Sequence, residues 1–282
     1  MNTIRNRTFD EERALYGLKN TLVSGCRFEG PADGESALKE CRQIEVEDSL
    51  FRLRYPFWHN EEVSIRNIDM NEDCRAALWY DRQIHIEHSH LGGIKAFREC
   101  DESSMCSCRI ESTEFGWSCR DIRVENCTLQ SEYPFLHCQR MEISGLHMKA
   151  KYSFQYCRDL VIRDSELDTK DAFWHSENVT VYDSVVKGEY LAWYSTNLRL
   201  VRCRIIGTQP LCYCKGLVLE DCTMEGCDLS FENSDVRATV RGSIDSVKNP
   251  AAGSIRAGAV GELIEDEFQW NPHGCEIYIT GV

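Results

Sequence analysis

Ile122-Arg-Val-Glu-Asn-Cys-Thr-Leu129, Leu160-Val-Ile-Arg-Asp-Ser-Glu-Leu167 and Leu217-Val-Leu-Glu-Asp-Cys-Thr-Met224 are one short phrase written three times. Further copies fill the gaps at Met141–Met148, Val179–Val186 and Leu198–Ile205. The central apolar residues Val124, Ile143, Ile162, Val181, Leu200 and Leu219 follow one another at 19 residues without slippage. A fixed period of about 20 residues is the signature of a solenoid, whose units bury a core only by stacking. Inside each phrase apolar and polar residues alternate for two beats, as in a strand. Asn, Asp or Gly then marks a bend, followed by a small Cys or Ser. No helical spacing separates the phrases, so helical and leucine-rich repeats are excluded. The phrase predicts an all-β, single-stranded parallel β-helix.

Working outward, the central residue can be traced back through Met105, Ile86, Ile65, Val46 and Val23, and a weaker coil lies near 236–244. That gives about 11–12 coils of about 19 residues. Phe9–Leu18 reads as a brief helix or turn. The expected organisation is an N-terminal cap over 1–20, the β-helix over 21–247 and a C-terminal cap over 248–282.

The formal charge of −14 argues against nucleic acid, anionic membranes and acidic polymers as partners. Met1–Arg13 has no apolar signal core, and no later run is long enough to span a bilayer. The expectation is a cytoplasmic protein whose sixteen cysteines are buried thiols. Most of them form two columns with serines, one through Cys26, Ser49, Ser89, Cys108, Cys127, Ser165, Ser184, Cys203 and Cys222. The other runs through Cys41, Cys100, Cys119, Cys138, Cys157, Ser176, Ser195 and Cys214. Thiols in a line do not converge tetrahedrally, so these are corner residues and no metal or cofactor is expected. In Ile84-His-Ile-Glu-His-Ser-His-Leu91, His85 and Glu87 share a face, whereas His88 and His90 fall at and beyond the bend. The bend carboxylates Asp164, Asp183 and Asp221 suit a left-handed turn and are read as structural.

Three adjacent columns are unusual. The first holds Leu38, Phe57, Leu78, Phe97, Phe135, Phe154, Phe173 and Leu211; the next Lys39, Trp58, Trp79, Arg98, Trp117, Trp174 and Trp193. The third holds Glu40, His59, Tyr80, Glu99, His137, Tyr156, His175, Tyr194, Tyr213 and Glu232. Strict strand alternation would put the first and third on one face and the Trp column on the other. Glutamates in the third column favour placing it outside. Exposed aromatic stripes of this size bind something. Candidate ligand-binding residues are Tyr156, Trp174, Trp193, Tyr194, Tyr213 and Glu232. Asp171 and Glu189, in neighbouring coils beside His175, form the candidate catalytic set, since glycosidases need paired carboxyls.

Phrases such as Tyr55-Pro-Phe-Trp-His59, Lys170-Asp-Ala-Phe-Trp-His175, Gly188-Glu-Tyr-Leu-Ala-Trp-Tyr194 and Gly207-Thr-Gln-Pro-Leu-Cys-Tyr-Cys214 resemble the domain of unknown function 3737 family. The likeness runs from about Phe9 to the C-terminus. It implies the right-handed hand of pectin-lyase-like β-helices and brings no activity. The polygalacturonase signatures Asn-Thr-Asp, Asp-Asp, Gly-His-Gly and Arg-Ile-Lys are absent. Two function classes remain: an oligosaccharide-binding or carbohydrate-active protein using the stripe, and a scaffold using it for protein contacts or homo-oligomerisation.

Overall fold

The computed structural model describes residues 1–281, which form strands and turns with no helix among them. Between Lys19 and Ile206 each coil carries a six-residue strand on a first face and a strand of two or three residues on a second; beyond them Leu217–Glu225, Asp235–Lys248 and Ala252–Ile264 are longer strands. A third face carries a tight turn or a two-residue strand. Two compact units share this scheme, Met1–Glu142 and Ile143–Val282.

In the first unit Val23, Val46, Ile65, Ile86, Met105 and Val124 lie in register across parallel strands. In the second, Ile162, Val181, Leu200 and Leu219 do the same. The parallel β-helix, of right-handed type, is therefore the fold. Its coils number about 15, more than the 11–12 expected. Asn2–Arg5 pairs with Thr21–Ser24 at one end. At the other, Ala238, Ile255 and Ile277 continue the column at spacings of 17 and 22 residues. Those irregular intervals hide the terminal coils from a count based on 19. Phe9–Leu18 forms a short strand end and a turn; Arg13, Leu15 and Gly17 donate backbone N–H bonds to Glu35, Ala37 and Lys39.

Both small-residue columns point inward. Cys26 N–H donates to Ser49 Oγ (3.0 Å), and Ser165 N–H to Ser184 Oγ (3.1 Å), so each corner side chain satisfies the backbone of its neighbour. All sixteen cysteines are free, and all but Cys106 and Cys275 are buried. Two rungs of the Cys41 column depart from the pattern. Cys41 N–H donates to Asn60 Oδ1 and Asn60 N–H to Asp81 Oδ1, both at 2.7 Å. Asp81 is 1% exposed, and burial pushes its carboxyl well above the usual range. Its second oxygen and Asn60 Nδ2 have no partner among the described residues.

The bend column adopts left-handed backbone as expected, for example φ 49° at Asp164 and 48° at Asp183. The third column does so too: His59, Tyr80, Tyr156, His175, Tyr194 and Tyr213 all have φ between 52° and 60°. This overturns the assumption of strict alternation. A left-handed residue reverses the chain, so Phe57, Phe97, Phe154 and Phe173 enter the core while the His/Tyr column two residues on turns outward. Phe154 and Phe173 stack inside at 5.2 Å and 9°. The Trp column between them is half-buried.

Candidate functional site

The second unit gathers most of the candidate residues at one edge. Tyr156, His175, Tyr194 and Tyr213 form a continuous pile of rings with centroids 5.0, 5.1 and 4.9 Å apart and planes within 12° of parallel. The parallel ladder sets this spacing, because each ring sits on the same corner of successive coils. Ring faces are therefore covered by neighbouring rings, and the column offers solvent its edges: phenol hydroxyls and imidazole nitrogens. Tyr156 and Tyr194 remain 47% and 45% exposed. Burial, with Glu232 nearby, pushes the Tyr213 phenol up to about 12.

Trp174 and Trp193 lie beside this pile, stacked at 5.5 Å and 3°. Their indole N–H groups donate to the carbonyls of Tyr190 (2.7 Å) and Gln209 (2.9 Å), one coil further on. Each indole thus clamps two coils together while presenting one side to water. In the first unit Trp58 donates to Ala76 O (2.7 Å), and Arg98 lies 4.9 Å from both the Trp79 and Trp117 rings. His59 and Tyr80 stack there at 5.0 Å.

Asp171 is buried, and desolvation raises its carboxyl above the usual range. Glu189 is held by Lys170 at 3.0 Å, and His175 is sandwiched in the ring pile. Glu232 does not take the corner of its coil: Asn233, with φ 50°, does, and it is buried where it bonds Phe268 and Trp270. Glu232 instead turns in to Lys248 (2.9 Å), where it is 6% exposed. The chain inserts one residue at this coil, which shifts the column.

The histidine-rich segment disperses. His85 bonds Ser104 Oγ at 2.8 Å, and His90 bridges Asp69 (2.7 Å) and Glu111 (3.1 Å). Among the described residues no group of three His, Cys, Asp or Glu side chains could hold a metal ion.

Sequence reasoning missed a polar ladder three residues past the ring column. Asn197 Nδ2 donates to Asn178 Oδ1, and Asn178 Nδ2 to Asp159 Oδ1, both at 3.0 Å. Its counterpart in the first unit, Gln43 to Glu62 and Gln83 to Glu102 at 2.9 Å, lines an open groove of about 900 Å³ with Glu45 and His85. The recurrence of Asn, Asp, Gln and Glu at that offset was the available signal. Also missed was the segment over 265–274, which brings Trp270 against Tyr213 at 5.8 Å.

The family model described as protein of unknown function (DUF3737) matches residues 2–278. No curated protein matches the sequence. Among solved structures, the chain is similar to the A-module of Azotobacter vinelandii mannuronan C-5 epimerase AlgE4, at 9% identity and a TM-score of 0.38, over 84% of this chain and 89% of that one. HetL, a pentapeptide repeat protein involved in heterocyst differentiation regulation in Nostoc, is 11% identical with a TM-score of 0.36, over 78% and 92%. PfbA, a surface adhesin of Streptococcus pneumoniae, is 8% identical with a TM-score of 0.36, over 87% and 81%. Likenesses this distant carry nothing about chemistry.

Proposed function

This chain belongs to the DUF3737 family, whose description assigns no activity, and from that premise we propose that it binds an elongated polyhydroxylated ligand, an oligosaccharide, along the His/Tyr column. The observation that supports this reading is the ring pile itself. Four donors and acceptors stand about one strand spacing apart, and a second polar ladder of Asp159, Asn178 and Asn197 runs three residues further along the chain. Such a row suits a chain of hydroxyl-bearing rings lying across the coils. Its order is fixed before the ligand arrives, which lowers the entropy lost on binding.

Binding is favoured over turnover by the state of the carboxylates. Burial raises the Asp171 carboxyl, the direction that suits a proton donor, with Lys170 opposing it. Glu189 is neutralised by Lys170, and Glu232 is buried against Lys248. Asp171, Glu189 and His175 accordingly serve here as candidates for positioning a ligand.

Isothermal titration against neutral cello-, xylo- and chito-oligosaccharides, with product analysis of the same mixtures, tests the reading. Tyr194→Phe keeps the ring and removes one hydroxyl, so affinity should fall roughly fivefold to tenfold, the worth of one hydrogen bond. Unchanged affinity in both Tyr194→Phe and His175→Ala would remove the column from the site. Absence of binding by any of these glycans to the wild-type protein would remove the function.

A further inference from the structure

The ring pile continues at one end into a segment that sequence periodicity does not explain. Residues 265–274 leave the coil pattern, yet their backbone is pinned. Asn233 Nδ2 donates to Phe268 O (3.2 Å), and Asn233 Oδ1 accepts from Trp270 N–H (2.9 Å). Asn249 makes a second double contact, donating from Nδ2 to Asp266 Oδ1 (2.6 Å) and accepting from Asp266 N–H (3.0 Å). Asp266 Oδ1 also accepts from Phe268 N–H at 3.0 Å. Asn233 and Asn249 are both buried, so the loop is built from below.

What this rigid loop presents is two bare aromatic rings. Phe268 is 66% and Trp270 65% exposed, although both are fully capable of packing. Trp270 lies 5.8 Å from Tyr213, tilted by 42°, so it extends the pile without closing against it. The other five tryptophans all have partnered or clamped indoles: Trp58, Trp117, Trp174 and Trp193 donate to backbone carbonyls and Trp79 to Glu99. Trp270 donates its indole N–H to nothing among the described residues. A large ring held in water by a preordered loop, with a free donor, is an arrangement that folding does not require.

We infer that Trp270, flanked by Phe268 and ending the Tyr156–Tyr213 row, is the platform on which one sugar ring of the bound oligosaccharide stacks. This rests on the binding function proposed above and adds to it the residue that carries affinity. The pile's inner rings offer only edges, so an open aromatic face must come from its end, and Trp270 supplies it. The loop also dictates ligand charge. Glu265, Asp266 and Glu267 precede the two rings, and Lys248, the nearby cation, is engaged by Glu232 at 2.9 Å and Asp266 at 3.7 Å. The platform therefore takes neutral or amino sugars and repels uronates.

The test uses the full chain. Cello- and chito-oligosaccharides, with oligogalacturonate as the charged comparison, are titrated while tryptophan fluorescence is followed. Trp270→Ala should weaken binding about tenfold or more, as expected of a central aromatic contact. Trp270→Phe, which keeps a π-face, should lose much less than Trp270→Leu, which keeps only bulk. Circular dichroism and melting of each variant should match wild type, because the ring is in water. Phe268→Ala provides a second variant should Trp270→Ala disturb the loop, and it should also weaken binding. Wild-type affinity in Trp270→Ala, with binding still weakened in Tyr194→Phe, would overturn this inference and leave the function standing. Failure of every neutral glycan on the wild-type chain sinks both. Preference for oligogalacturonate overturns the charge assignment. Light scattering that shows a concentration-dependent dimer abolished by Trp270→Ala would assign the rings to a second copy of the chain instead.

Discussion

Replacing Asp81 with asparagine should make the difference in stability between variant and wild type depend on pH, with a predictable sign. In the unfolded chain this carboxyl ionises near the ordinary aspartate value of about 3.9. In the folded chain it is enclosed, accepts one backbone N–H bond at 2.7 Å, and is pushed well above that value by burial. Above about pH 4 the folded state therefore holds a proton that the unfolded state has released. The contribution of Asp81 to wild-type stability must fall as pH rises, at a slope approaching about 1.4 kcal/mol per pH unit, until the folded carboxyl itself ionises. The amide of the Asp81→Asn variant cannot ionise, so the variant escapes this slope. It has its own pH-independent cost of about 1 to 3 kcal/mol, because an amide N–H₂ replaces the partnerless oxygen. The variant should accordingly be less stable than wild type near pH 4 and should gain on it as pH rises, for as long as the folded carboxyl keeps its proton. Urea unfolding at half-unit steps between pH 4 and 7, with equal m values in both proteins, measures the difference. A flat difference across that range would refute the argument that Asp81 is buried as the neutral acid.

Two further outcomes follow from the packing. Phe173→Ala should cost about 3 to 5 kcal/mol by opening a core cavity, whereas Tyr194→Ala should cost about 1 to 3 kcal/mol, the worth of two ring contacts. Thermal or urea unfolding ranks the two, and equal losses would contradict the reversal of facing at the third column. Thiol titration should find sixteen groups in denaturant and fast reaction only at the half-buried Cys106 and Cys275 in the native protein; near-complete native labelling would contradict the inward ladders.

The fold was legible because Val124 through Leu219 repeat without slippage, and a period so regular admits few architectures. The terminal coils escaped because Ala238, Ile255 and Ile277 keep the register in space while breaking the count in sequence. The His/Tyr column faces outward as expected, while the Phe column was given the wrong face for a single physical reason. Alternation presumes extended backbone, and Tyr or His at φ near 55° is not extended; nothing in an aromatic side chain announces that conformation. The His/Tyr column could be found from its spacing, and so could have been the Asn178–Asn197 ladder. Trp270 could not, since its position depends on Asn233, 37 residues away and off the period.

Left-handed backbone at non-glycine residues is uncommon, yet corners throughout this chain adopt it, Phe135, Phe154 and Phe173 included. Each corner costs about 1 kcal/mol or more when considered alone. An isolated coil would relax out of that shape, so a corner keeps it only because the coils above and below hold it there. Shape is then a property of the neighbourhood, passed from rung to rung as a template is. Such a chain lengthens or shortens most simply by whole rungs, because losing one full turn leaves every remaining corner seated on another of its kind. A single extra residue is absorbed only by moving the corner along the chain, as from Glu232 to Asn233.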